Sequence, residues 1–338
     1  MNSILLYSSG LILCSATIAI SGSRLAKYGD IIAELTGMGK AWMGLILMAA
    51  VSSLPELFSA ISAITVMDSP DIAVGGIMGS LSFNLVILAI LDFFVPQKPL
   101  SSIITKSHVL AGLLGMILVT IAIIEILYSS LMPDIGLIST FPIVLIILYM
   151  ITIRIIFENE RSINGNVKTQ IKNSTIDHKD HNISLRIAVK RYLFYASFVV
   201  VTALVLPYFA DNLAVQAGIS KSFVGTLLVA ATTSLPELVI SISAVRMGSV
   251  DMAVGNLLGS NIFNMLILAF SDLLYKGPLL SVSDPNHALS GLVTILMTAV
   301  VGISILYGAP KKRFMLGIDA IILILLDLAL FISLYYLG

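Results

Sequence analysis

Long apolar runs broken by short polar stretches fill this chain from one end to the other. Runs of about 20 residues or more, the length that a bilayer core about 30 Å thick demands, lie at 3–23, 41–67, 71–95, 108–128, 135–157, 192–210, 222–247, 252–275, 287–307 and 314–337. The pattern predicts an all-α polytopic membrane protein with ten transmembrane helices. The first run has no basic leader, since the first cation, Arg24, follows it, so it is expected to stay as helix one.

One polar stretch is long. Glu158 to Lys190 contains Asn164-Gly165 and the mixed-charge run Lys179-Asp180-His181, and it reads as a flexible cytoplasmic linker. It divides the chain into two five-helix halves, 1–157 and 191–338, around the linker 158–190. Cations sort by side. With the N-terminus outside, every Lys and Arg except Lys221 and Lys276 falls on the cytoplasmic side, which predicts extracytoplasmic N- and C-termini, in a cell (plasma) membrane protein.

Composition agrees with this picture. Hydrophobic residues make up 58% of the 338, charged ones 11%, and the mean hydropathy is +1.03. Cys14 is alone, so no disulfide can form within the chain, and the thiol reads as a small packing residue.

The halves repeat one another. Ser53-Leu54-Pro55-Glu56-Leu57 returns as Ser234-Leu235-Pro236-Glu237-Leu238. Beyond it Asp71, Gly75, Gly79, Ser80, Phe83, Asn84 and Asp92 match Asp251, Gly255, Gly259, Ser260, Phe263, Asn264 and Asp272. Shared polar residues exceed what apolar composition would produce by chance. Because each half has an odd number of helices, the second must enter the membrane from the opposite side. Such inverted repeats are the plan of alternating-access transporters, with the substrate bound between the repeats near the midplane.

A glutamate at membrane depth costs roughly 2.5–3.5 kcal/mol on insertion scales, so Glu56 and Glu237 need a compensating partner. No Lys, Arg or His lies in either repeat core, and a cation from outside the chain is the partner expected. Pro55 and Pro236 should break their helices, with carbonyls freed around Ala49 and Ala230. Ser52, Ser53, Thr233 and Ser234 add hydroxyls beside them. On the following helix of each half, Gly79 and Gly259 admit a close neighbour, and Ser80 with Asn84, like Ser260 with Asn264, forms a polar patch four residues apart. Carboxylate, carbonyl, hydroxyl and amide oxygens suit a hard cation such as Ca2+ or Na+; zinc or copper would call for His and Cys.

The two motifs resemble the alpha-repeats of the sodium/calcium exchanger family, within the cation/calcium antiporter superfamily. The specific likeness covers about residues 48–92 and 229–272. The resemblance implies Ca2+/Na+ antiport, with Glu56 and Glu237 as principal Ca2+ ligands and Ser53, Ser234, Ser80 and Ser260 flanking them as Na+ sites. It also implies added hydroxyls from Ser52 and Thr233, carbonyls near Ala49 and Ala230, and helices one and six sliding as a gate across the other eight. Many family members carry an aspartate at the position of Asn264. Here Asn84 and Asn264 are both neutral, leaving two formal negative charges, which one Ca2+ or two Na+ would neutralise. The alternative is a proton-coupled antiporter of Ca2+ or another divalent ion.

A channel would assemble its filter around a symmetric pore, and an enzyme would need a nucleophile and base or a His-rich metal centre. Neither pattern is present. The chain is expected to be no enzyme, to hold no cofactor, to bind no nucleic acid and to work as a monomer in the bilayer with Ca2+ and Na+ as its ionic partners. Among the other acids, Glu125 and Asp319 lie near helix ends and are expected to reach water. Asp327 lies deeper, where a hydrogen bond to a neighbouring helix or a proton site are the two readings. Asp92 and Asp272 are expected to make structural hydrogen bonds, and His108, His178, His181 and His287 receive no chemistry.

Overall fold

A computed structural model describes residues 2–36, 49–95, 98–129, 134–135, 138–167, 183–246, 248, 250–308, 312 and 315–337. The helices are α1 (Asn2–Thr36), α2 (Ala49–Ser52), α3 (Leu54–Thr65), α4 (Pro70–Phe93), α5 (Ser107–Tyr128) and α6 (Thr140–Val167) in the first half. The second half contains α7 (Leu185–Ala217), α8 (Lys221–Thr233), α9 (Leu235–Arg246), α10 (Val250–Leu274), α11 (Leu279–Val282), α12 (His287–Tyr307) and α13 (Ile318–Leu337). Among the described residues eight helices are long and apolar enough to cross a membrane, and α8 with α9, bent by 44° at their junction, makes a ninth. The run expected at 41–67 is described only from Ala49 onward, as α2 and α3; its earlier part lies outside the described residues.

Several expected boundaries move. Helix one continues to Thr36 instead of ending near residue 23. The run expected from 135 begins at Thr140, because Asp134–Ile135 and Ile138–Ser139 pair as a minimal antiparallel hairpin. Much of the expected linker is helical: α6 runs on to Val167 and α7 starts at Leu185. Polar composition marks where a helix leaves the apolar layer, which need not be where the helix stops. Arg154 illustrates this by bonding Glu158 one turn on at 2.9 Å. Residues 168–182, with Lys168, Lys172, Lys179, His178 and His181, lie outside the described residues, as do Lys40, Lys311 and Arg313.

Burial sorts the helices into layers. In α4 and α10, 83% and 72% of the apolar window is inside the bundle, against 22% for α1 and 28% for α7 and α13. A fully buried helix in a membrane has no use for a uniformly apolar surface, which is why α4 and α10 can carry Ser80, Ser82, Asn84, Asn256, Ser260, Asn261 and Asn264 inside. Their close approach to the broken helices depends on glycine. A Cβ on Gly79 would collide with the Thr226 carbonyl and stand 2.8 Å from Ala230 Cβ, so only glycine lets α4 and α8 touch backbone to backbone. Outside this core, α1 and α7 run side by side, with Tyr28 stacked on Tyr195 at 5.9 Å and Arg191 donating to the Tyr28 hydroxyl at 2.9 Å.

The two ends of the bundle are tied by matching devices. At the start of α10, Asp251 accepts the Thr105 amide at 2.7 Å and faces His108 Nε2 at 3.2 Å. At the start of α4, Asp71 accepts the Asp284 amide at 2.6 Å and faces His287 Nε2 at 3.3 Å. Asp92 and Asp272, at the far ends of α4 and α10, accept the Leu100 and Leu279 amides at 2.6 Å each, as expected of structural acids. Asp92 also accepts the Gly317 amide at 2.6 Å and pairs with Lys312 at 3.2 Å.

Candidate ion-binding site

The proline motifs break their helices at one residue each. Ser53 (φ −88°, ψ 13°) and Ser234 (φ −84°, ψ 7°) leave the helical conformation, and α3 and α9 then restart with the proline in the first turn, where its missing N–H removes no bond. The restart places Glu56 and Glu237 in the first turn of a new helix. There the unpaired amides and the positive end of the helix dipole favour a carboxylate. An acid that looks misplaced in an apolar run therefore occupies the position in its helix best suited to a negative charge.

Each glutamate is held by the other half. Ser53 donates to Glu237 Oε1 at 3.0 Å, and Ser234 donates to Glu56 Oε1 at 3.1 Å. Ser260 adds a longer bond to Glu237 Oε1 at 3.4 Å and meets the Ser52 hydroxyl at 3.4 Å. Across the site Ser80 and Thr233 are 3.5 Å apart. Glu56 and Glu237 are 3% and 0% exposed and close enough to feel one another's charge. Among the described residues none of the ion pairs involves either glutamate.

The structure thus brings Glu56, Glu237, Ser52, Ser53, Ser80, Thr233, Ser234 and Ser260 together. The second oxygens of both glutamates, Asn84 Oδ1 and both polar atoms of Asn264 are buried without a hydrogen-bond partner. Buried polar atoms are bonded in the great majority of cases, so the two glutamate oxygens left unbonded beside these hydroxyls call for a positively charged occupant. The donors suit a hard cation, and among the described residues no group of three His, Cys, Asp or Glu forms a metal cluster.

Two expectations need correction. The carbonyls of Ala49 and Ala230 are not freed: each accepts the amide of Ser53 or Ser234 at 3.0 Å, with Ser52 or Thr233 adding a hydroxyl. The physical reason is register, since a proline withholds its bond from the residue four earlier, which is Val51 or Thr232. Glu125 does not reach water, being 2% exposed inside α5. A further polar contact escaped the sequence reading. Asn261 accepts the Asn84 amide at 2.9 Å and donates to the Leu81 carbonyl at 3.1 Å, locking α10 to α4. Because Leu81 stands opposite it in the repeat, Asn261 left no trace in the matched residues. The π-helical turn Gly225–Val229 in α8 likewise had no sequence signal beyond Gly225.

The model of the sodium/calcium exchanger protein family matches residues 7–157 and 191–336. Sodium/calcium exchanger MaX1 of Methanosarcina acetivorans is 38% identical over 130 residues, 38% of this chain and 34% of that protein, so this match spans about a third of the relative. Inner membrane protein YrbG of Escherichia coli is 27% identical over 78% of both chains. The solved sodium-calcium exchanger NCX_Mj shares the fold with a TM-score of 0.62 at 21% identity, over 98% of this chain and 99% of that one. With the family model covering both halves and the membrane fold shared over nearly the whole length, this chain belongs to the sodium/calcium exchanger protein family.

Proposed function

We propose that this protein is a secondary-active antiporter that exchanges Ca2+ for Na+ by alternating access. The observation that carries the reading is the reciprocal pair Ser53–Glu237 and Ser234–Glu56, buried between the halves with one oxygen of each glutamate left unbonded. Glu56 and Glu237 are the principal Ca2+ ligands, and Ser53, Ser80, Ser234 and Ser260 flank them for Na+. Ser52, Thr233, Asn84 and Asn264 complete the oxygen cage; the second lone pairs of the Ala49 and Ala230 carbonyls border it.

Ten spans in two inverted halves are the topology of this reading. Support comes from the cross-ties, since Thr105–Asp251, Lys312–Asp92 and Arg246 over Phe94 join only segments that this topology puts on the cytoplasmic side. Ser69–Asp211 and Asp71–His287 join only segments it puts outside, together with both termini. The peripheral pair α1 and α7 is the gate. Sliding on the buried core, it opens the cage to one side and then to the other, as a single monomer in the cell membrane.

Coupling follows from charge. Two carboxylates at close range with no basic neighbour repel one another and lose hydration, so the unloaded protein is disfavoured from reorienting. Either cation removes that penalty, and release of one ion then requires binding of the other. The test is uptake of radioactive Ca2+ by proteoliposomes preloaded with Na+, with K+, or with an imposed pH gradient. Uptake only from the Na+-loaded vesicles is expected; equal uptake under a pH gradient without Na+ overturns Na+ coupling in favour of protons.

A further inference from the structure

Asp327 takes no part in the cage, yet it lies near the middle of α13, 5% exposed, with Oδ1 buried and without a hydrogen-bond partner. The group it meets is the hydroxyl of Ser82, near the middle of α4. Ser82 lies two residues from both Ser80 and Asn84, on the order of 200° around the helix, so Asp327 stands behind α4 on the side away from the cage. Other titratable groups on the helices packed against α13 sit at their ends: Asp71 and Asp92 on α4, His287 and Tyr307 on α12 and Lys221 at the start of α8. On α13 itself Asp319 is two turns away, and Tyr335 and Tyr336 are at the far end.

We propose that Asp327 is a proton-binding site at the centre of the membrane, separate from the ion cage and occupied in the conformation described. Burial supports it. Oδ1 has no hydrogen-bond partner, and the Ser82 hydroxyl also lies 3.1 Å from the Gly79 carbonyl, so it is at best shared between that carbonyl and Asp327. A carboxylate there would be a buried charge at mid-membrane, with the cations of the helices packed against it only at their ends. A cavity of about 20 Å3, room for a water, is lined by Asp92, Ser101, Asp319 and Leu323, with the Ser101 hydroxyl buried and unpaired beside it. Leu323 is one helical turn before Asp327, which sets this polar cavity about a turn from the acid on the side where α13 begins.

The test is infrared spectroscopy of the full chain in lipid at pH 7, comparing wild type with Asp327→Asn. The band of a protonated carboxylic acid should be smaller in the variant by one group, with exchange protein otherwise folded; identical bands overturn the assignment. If the variant does not fold, wild-type protein treated with dicyclohexylcarbodiimide decides. This apolar reagent adds to a protonated carboxyl: the acid proton passes to a carbodiimide nitrogen, the carboxyl oxygen bonds the central carbon, and nothing leaves. An adduct mapped to Asp327 is the expected result, and an unmodified Asp327 overturns the proposal. Neither readout depends on which ions are exchanged.

Discussion

The two broken helices carry the same five-residue motif, yet their surroundings differ. On α4, in the first half, the support is tight: Asn84 is bonded to Asn261, and Gly79 brings α4 onto the π-turn of α8. On the other half Asn264, in the place of Asn84, is fully buried with neither polar atom bonded. Equivalent asparagines thus differ: Asn84 spends its amide hydrogen on Asn261 and keeps only Oδ1 unbonded, whereas both polar atoms of Asn264 are unbonded. A repeat in sequence fixes which groups reach the centre; the neighbours, which are not repeated, decide which of them stay available for an ion.

The comparison can be broken at its centre. Glu56→Gln and Glu237→Gln should each abolish Ca2+ exchange in vesicles, because either removes half the cage's charge; normal transport by both variants would take these residues out of the mechanism. Next in size is the clamp at the end of α4, where Lys312 pairs with Asp92 and bonds the Asp92 and Val95 carbonyls. Lys312→Met should cost about 3–5 kcal/mol, read as a large drop in melting temperature in detergent, since it strands a buried carboxylate. Gly79→Ala should cost about 1–3 kcal/mol by pushing α4 off the Thr226 backbone, with the loss again visible in thermal unfolding.

The finer test uses the asparagines. Asn261→Ala leaves the Asn84 amide unbonded and should lower stability by about 1–3 kcal/mol. Asn264→Ala, which breaks no bond in the fold, should leave the melting temperature nearly unchanged while shifting the ion concentration for half-maximal exchange. Equal melting shifts in the two variants would show that the asymmetry between the halves is not real.

Much of the centre was legible because its signals are strong and local. A glutamate and a proline inside an apolar run are so costly that their repetition at Glu56 and Glu237 marks the candidate site without coordinates. Serines four residues before Asn84 and Asn264 follow from helical geometry alone. Element ends were less legible, as α6 shows by continuing through a polar stretch to Val167.

By itself, then, the sequence determined the membrane class, the duplicated motif and the oxygen ligands on offer, because periodicity, hydropathy and the expense of a buried charge are properties of short segments. Only the tertiary structure decided that each glutamate is held by a serine of the opposite motif, that Asn261 ties up Asn84 while Asn264 stays unbonded, and that Asp327 backs onto Ser82. Those facts depend on which faces of separate helices meet. Glycine contacts such as Gly79 against Thr226 set that meeting, and no single segment of the chain contains both partners.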